Sequence, residues 1–103
     1  MKLFVSDLDG TLSNYNWIDI IDKVTNKGVG IDFCQKYYNI IKYDTYCFGD
    51  YKNDLSMVDY SSNTFAIRDA HVDVIELFKY RISSNNDQSV TNKIIEILKQ
   101  EML

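Results

Sequence analysis

Runs of β-favouring residues alternate with stretches whose apolar residues return at helical spacing, and that alternation restricts the fold more than any other feature of the chain. Leu3, Phe4 and Val5 form the first run, residues 17–21 read as a second, and 45–48, 64–67 and 80–82 follow. Between them, Thr25, Asn26 and Gly28 mark a helix start, and Val29, Phe33, Tyr37 and Ile40/Ile41 repeat at helical spacing. Leu55 and Val58 mark a short helix, and His71, Ile75 and Phe78 another. After a polar loop at 83–89, Val90, Ile94, Ile97 and Leu98 give a closing amphipathic helix. Strands alternating with helices predict an α/β fold, a three-layer α/β/α sandwich on a small, mostly parallel sheet.

With 103 residues and 46% hydrophobic content, the chain is expected to form one domain, residues 1–103, with a modest core. No proline interrupts it. The net charge of −4 and the lack of a basic run argue against nucleic acid as a partner. No apolar stretch is long enough to span a membrane, and the polar residues after Val5 do not suit a signal peptide. A cytoplasmic location is therefore expected. Cys34 and Cys47 lie in apolar patterns and are expected as buried free thiols. His71 is the only histidine, so a histidine triad or zinc site has little to draw on. The eight tyrosines sit mostly at core periodicity and are expected to pack rather than to form a stacking platform.

The chemistry concentrates after two of the strands. "DLDGT" puts Asp7 and Asp9 after the first run, and "FGDYKNDLSM" puts Asp50 and Asp54 after the run at 45–48. In parallel α/β sheets, ligands bind beyond the carboxyl ends of the strands. If these strands are neighbours, their carboxylates converge, and like charges so close need compensation. Clustered hard oxygen ligands suit Mg²⁺. An EF-hand loop fails on spacing, because the position that needs glycine is Leu12. A solvated turn remains the plain alternative for either motif alone.

"DLDGTL" and "GDYKND" resemble the first and last motifs of the haloacid dehalogenase (HAD) superfamily of Mg²⁺-dependent phosphohydrolases. "IDIIDKVTNKGVGIDFCQKYY" resembles the lysine-bearing segment of its Cof-like branch, and the sequence from Asn63 onward resembles that branch's tail. The resemblance implies a Rossmann-like core and roles for individual residues. Asp7 would be the nucleophile, forming an aspartyl-phosphate, and Asp9 the general acid and base. Mg²⁺ would be held by Asp7, the Asp9 carbonyl and Asp50, with Asp54 in or just behind the ligand set. Lys27 would add positive charge at the phosphate, with Gly10 and Thr11 supplying further phosphate contacts. Asn53 would hold phosphate or Asp54, or serve only as a helix cap; Lys27 also reads as an ordinary surface lysine. The partner implied is a small phosphorylated metabolite.

The pattern departs from the family in the middle. A Ser/Thr motif normally precedes the lysine, and a cap domain encloses the substrate; neither has a counterpart between Leu12 and Lys27. Asp69 stands where the branch often has asparagine. Three functions stay open: a reduced, capless phosphatase on small monoesters; a remnant that keeps fold and metal site without turnover; and a phospho-accepting receiver domain, disfavoured because its acidic pair and its acceptor Asp lie on different strands. The strands at 3–5, 45–48 and 64–67 are expected to be adjacent and parallel. The free side of the first would be bare or covered by residues 17–21, and a bare edge would favour a homodimer through it.

Overall fold

The computed structural model describes residues 2–5, 27–82 and 87–101. Four parallel strands form one sheet in the order β1 (Leu3–Val5), β2 (Thr45–Gly49), β3 (Asn63–Ala66) and β4 (Tyr80–Arg81). The strand expected at 17–21 lies outside the described residues. The three crossovers carry α1 (Lys27–Tyr38), a 3₁₀ helix (Lys52–Tyr60) and α2 (Val72–Leu77), and α3 (Asp87–Glu101) closes the chain. The expected adjacency of the first three strands is what the sheet contains, with Leu3 opposite Thr45, Val5 opposite Cys47 and Phe48 opposite Phe65.

Side chains alternate across a strand, and here both faces are buried. Leu3, Val5, Cys47 and Ala66 face Ile31 of α1, Met57 of the 3₁₀ helix, and Val74 of α2 with Phe78 just beyond it. Phe4, Phe48 and Phe65 face the other way, onto Val90 and Ile94 of α3. The result is the expected three layers. On the α3 side, rings stack from strand to strand, Phe4 on Tyr46 (5.2 Å), Phe48 on Phe65 (5.0 Å) and Phe65 on Tyr80 (5.1 Å). Such offset aromatic pairs add to the burial of their area.

Asn39 ends α1 by taking the left-handed conformation (φ 56°), and Ile40 N–H donates back to Gln35 O (2.8 Å). That six-to-one bond closes a Schellman cap, and the residue after it, Ile40, is buried as the motif favours. Near this end, side chains tie the amino edge of the sheet. Gln35 Nε2 donates to Thr45 Oγ1 (2.9 Å) and Tyr60 O (2.7 Å), and Ser61 Oγ donates to Thr45 O (2.6 Å).

Two sequence expectations change. Val29, Phe33, Tyr37 and Ile41 do repeat at helical spacing, but they form the outer side of this segment: Phe33 is 67% and Tyr37 72% exposed. Among the described residues, Gly28 and Ile31 are the ones α1 buries, with Cys34 packed partly against the same core. A period of four locates a stripe but not which side of the helix meets the sheet. His71, read as a helix-face residue, is instead the N-cap of α2, its Nδ1 accepting from Asp73 N–H (3.1 Å).

Cys34 and Cys47 are free thiols, Cys47 fully buried in β2 and Cys34 partly covered. Burial pushes the Cys47 thiol from its ordinary 9.0 up to about 12, with a Ser61 hydrogen bond opposing and the Asp54 charge adding to the rise. Between those values the unfolded chain ionises its thiol and the folded chain does not. Stability should therefore fall by about 1.4 kcal/mol per pH unit above the lower value from this group alone. Urea titrations at rising alkaline pH should show a shallower decline in Cys47→Val than in the wild type.

Candidate functional site at the carboxyl edge of the sheet

β2 is paired on both sides, and its last residue, Gly49, delivers the chain to Asp50 at the carboxyl edge. The backbone there is held at every step. Gly49 O accepts from Ile67 N–H (3.1 Å), and Asp50 O accepts from His71 N–H (2.7 Å). Asp50 N–H donates to Asp54 Oδ2 (2.9 Å), and Tyr51 N–H reaches the same oxygen (3.3 Å). With both backbone groups of Asp50 engaged, its half-buried side chain is set at the edge by a rigid loop.

Asp54 makes this possible from 0% exposure. It stands in the first turn of the 3₁₀ helix, and its own N–H donates to Tyr51 O (2.9 Å). A carboxylate reaching back to the N–H groups before a helix is the acidic half of a capping box. The first residues of a helix have unsatisfied N–H donors, and a buried carboxylate needs donors, so each supplies the other's requirement. The expected place of Asp54 in or behind a ligand set thus has a specific content: its Oδ2 holds the loop that carries Asp50.

Gly49 is part of the same fit. A Cβ on it would stand 2.7 Å from Asp54 Cβ and 2.9 Å from Phe78 Cε2. The first neighbour is close to backbone and cannot swing away. Only a residue without a side chain lets Asp54 tuck under the end of β2.

α1 starts beside this loop. Gly28 N–H donates to Ser56 Oγ (3.3 Å), so the amino end of the helix, where Lys27 is the first residue, meets the 3₁₀ helix. Asn53 is exposed on the first turn of that 3₁₀ helix, whose N-cap is Tyr51, so Asn53 is not the cap. Asp69 is exposed in the turn after β3. Asp7, Asp9, Gly10 and Thr11 lie outside the described residues; β1, which precedes them, ends with Val5 opposite Cys47, two residues before Gly49. Among the described residues no three His, Cys, Asp or Glu side chains gather to hold a metal, and no helix is long and apolar enough to cross a membrane.

Sequence reasoning missed Ser56, His71 and Tyr51. Ser56 ties α1 to the loop, His71 holds the Asp50 carbonyl, and the Tyr51 ring meets the His71 imidazole edge-on at 5.6 Å. The only signal was position: Tyr51 and His71 are the cap residues just before the helices that follow two of the strands, and Ser56 lies on the first of those helices.

Comparison with known proteins gives a consistent result. A family model described as haloacid dehalogenase-like hydrolase matches residues 13–94. The 5-amino-6-(5-phospho-D-ribitylamino)uracil phosphatase YbjI of Escherichia coli is 34% identical over 84 residues, 82% of this chain and 31% of YbjI. Among solved structures, SMU.1108c from Streptococcus mutans has a TM-score of 0.67 at 26% identity, covering 77% of this chain and 30% of that one. The haloacid dehalogenase-like hydrolase yhjK from Bacillus subtilis has a TM-score of 0.64 at 24% identity, covering 78% and 28%. The chain thus spans about a third or less of the length of each of these three relatives.

Two substitutions test the loop. Asp54→Ala leaves two N–H donors without their charged acceptor and should cost about 2–3 kcal/mol. Gly49→Ala forces the new Cβ against Asp54 and should cost about 1–3 kcal/mol. Urea denaturation measures both; an unchanged midpoint in either variant contradicts the packing described.

Proposed function

The chain belongs to the haloacid dehalogenase-like hydrolases, and on that premise we propose that it is a Mg²⁺-dependent phosphohydrolase of small phosphate monoesters, working through an aspartyl-phosphate. One observation carries the reading: Asp50 is held rigidly at the carboxyl end of β2, next to the strand that leads into Asp7 and Asp9. YbjI, a phosphatase of a phosphorylated small molecule by its name, supports the substrate class.

The residues suit Mg²⁺ in chemistry: hard carboxylate oxygens, with Asp50 backed by a loop that needs no further support. Asp7, the Asp9 carbonyl and Asp50 would hold it, with Asp54 behind Asp50. When bound, the cation neutralises phosphate charge and orients it for in-line attack.

Asp7 attacks phosphorus with a carboxylate oxygen, and the ester oxygen departs with the bonding pair. Asp9 gives that oxygen a proton, then takes one from water as the water attacks the acyl-phosphate. Orthophosphate leaves and Asp7 is restored. Lys27, the first residue of α1, would offset charge on the phosphate, and Gly10, Thr11 and Asn53 would supply further contacts to it. The carboxylate of Asp54 does its work through the backbone of Asp50 and Tyr51.

The lack of a counterpart to the Ser/Thr motif and the cap between Leu12 and Lys27 favours a second reading, in which the metal site persists without turnover. Two measurements separate them. Mg²⁺ at ten times its Kd should stabilise the fold by about 1.4 kcal/mol, raising the Tm, and Asp50→Ala should abolish that shift. An aryl phosphate, whose leaving group needs little protonation, should be hydrolysed slowly, and Asp7→Asn should eliminate the rate. Equal rates in wild type and Asp7→Asn would sink the enzymatic reading, whereas an Mg²⁺ shift that survives Asp50→Ala would sink the metal site.

A further inference from the structure

The outer face of α1 is apolar where a solvated helix is polar. Val29, Phe33 and Tyr37 follow one another at four-residue steps, and the Phe33 and Tyr37 rings stack at 6.1 Å. Tyr38 meets Tyr37 edge-on at 4.9 Å, and exposed Ile41 and Tyr43 come shortly after the helix. A groove of about 500 Å³ opens on this face, lined by Val29, Phe33 and Tyr37 with Asp32 and Lys36. None of these residues belongs to the carboxyl-edge loop.

Area argues for a protein partner of substantial size. From their exposed fractions, Val29, Phe33, Tyr37 and Tyr38 present roughly 500 Å². Two copies of this face would together bury roughly 1,000 Å², about the least that a specific interface needs.

Charge argues for which partner. The stripe is flanked by one acid and one base, Asp32 and Lys36, which pair within the helix at 3.0 Å (Nζ–Oδ2). A face of this kind selects neither a basic nor an acidic stranger, but it complements itself. A two-fold axis through the face, relating antiparallel helices, sets Asp32 of one protomer against Lys36 of its partner, and does so twice. The four-residue ridge is also the kind that interdigitates with a copy of itself when helices pack. An isologous contact needs this self-complementarity.

We propose that the outer face of α1 is the interface of a homodimer, with Phe33 and Tyr37 at its centre and two Asp32–Lys36 pairs across the axis. This contact is separate from the sheet edge at β1, and it does not depend on phosphatase activity.

Sedimentation equilibrium across a wide concentration range tests it. The wild type should dimerise reversibly. Phe33→Glu, at an exposed position, should fold normally and weaken association by about 100-fold, the effect of losing a central anchor. Asp32→Lys gives a face that is all base, and Lys36→Asp one that is all acid, so each alone should be monomeric. An equimolar mixture of these two variants should dimerise, because every cross-axis pair is then opposite in sign. A wild type that stays monomeric overturns the proposal. So does a dimer indifferent to Phe33→Glu, which would point to another surface, or a pair of charge variants that associate no better mixed than apart.

Discussion

A carboxylate taken out of water must be repaid in hydrogen bonds, and at Asp54 the repayment organises the carboxyl edge of the sheet. The donors come from Asp50 and Tyr51, the residues that the loop must hold still if Asp50 is to be presented at the edge. The approach is open only because Gly49 has no side chain. Three positions within six residues are therefore one unit: the glycine opens the space, the buried acid fills it, and the exposed-side acid is aimed by the result. His71, one strand later in the chain, completes the unit by holding the Asp50 carbonyl through its N–H. The other end of β2 is secured differently, by Gln35, Ser61 and Thr45 itself, so the central strand is anchored at both ends by polar groups and along its length by apolar ones.

How much of this was legible depends on which physical signal each element carries. The strands were readable because parallel strands buried on both faces are short continuous apolar runs; residues 45–48 and 64–67 fall within one residue of β2 and β3. The order of strand, break and helix was enough for the layers. Orientation of α1 was not legible, since a helix with a small inner face and an aromatic outer face inverts the usual contrast. The 3₁₀ form of 52–60 was also hidden, although Asp54, Met57 and Tyr60 recur at the three-residue step that such a helix keeps in line. The carboxylates of Asp50 and Asp54 read as equals in the sequence. Only burial separates them: Asp54 is fully buried with its carboxylate on backbone N–H groups, whereas Asp50 is only half-buried.

The two faces of the sheet are also built for different tasks. On the α3 side the core is a run of stacked rings with Val90 and Ile94 above it, and among the described residues it carries no candidate site residue. On the α1 side, the 3₁₀ helix, α1 and α2 bring three crossovers to one edge, and each contributes a tie: Asp54 and Ser56 from the first, Gly28 from the second, His71 at the cap of the third. Variation in the α3 layer would be felt as stability, whereas variation in the three crossovers would be felt at Asp50.

The contrast between the two thiols has a kinetic meaning. Cys47 lies in the doubly paired strand with no exposure, while Cys34 is only partly covered on α1. A thiol reagent meets Cys34 through modest local movement, but reaches Cys47 only when β2 parts from its neighbours. The two residues are a pair of clocks on different hands of the same molecule, the faster one timing the loosening of a helix and the slower one timing the life of the sheet.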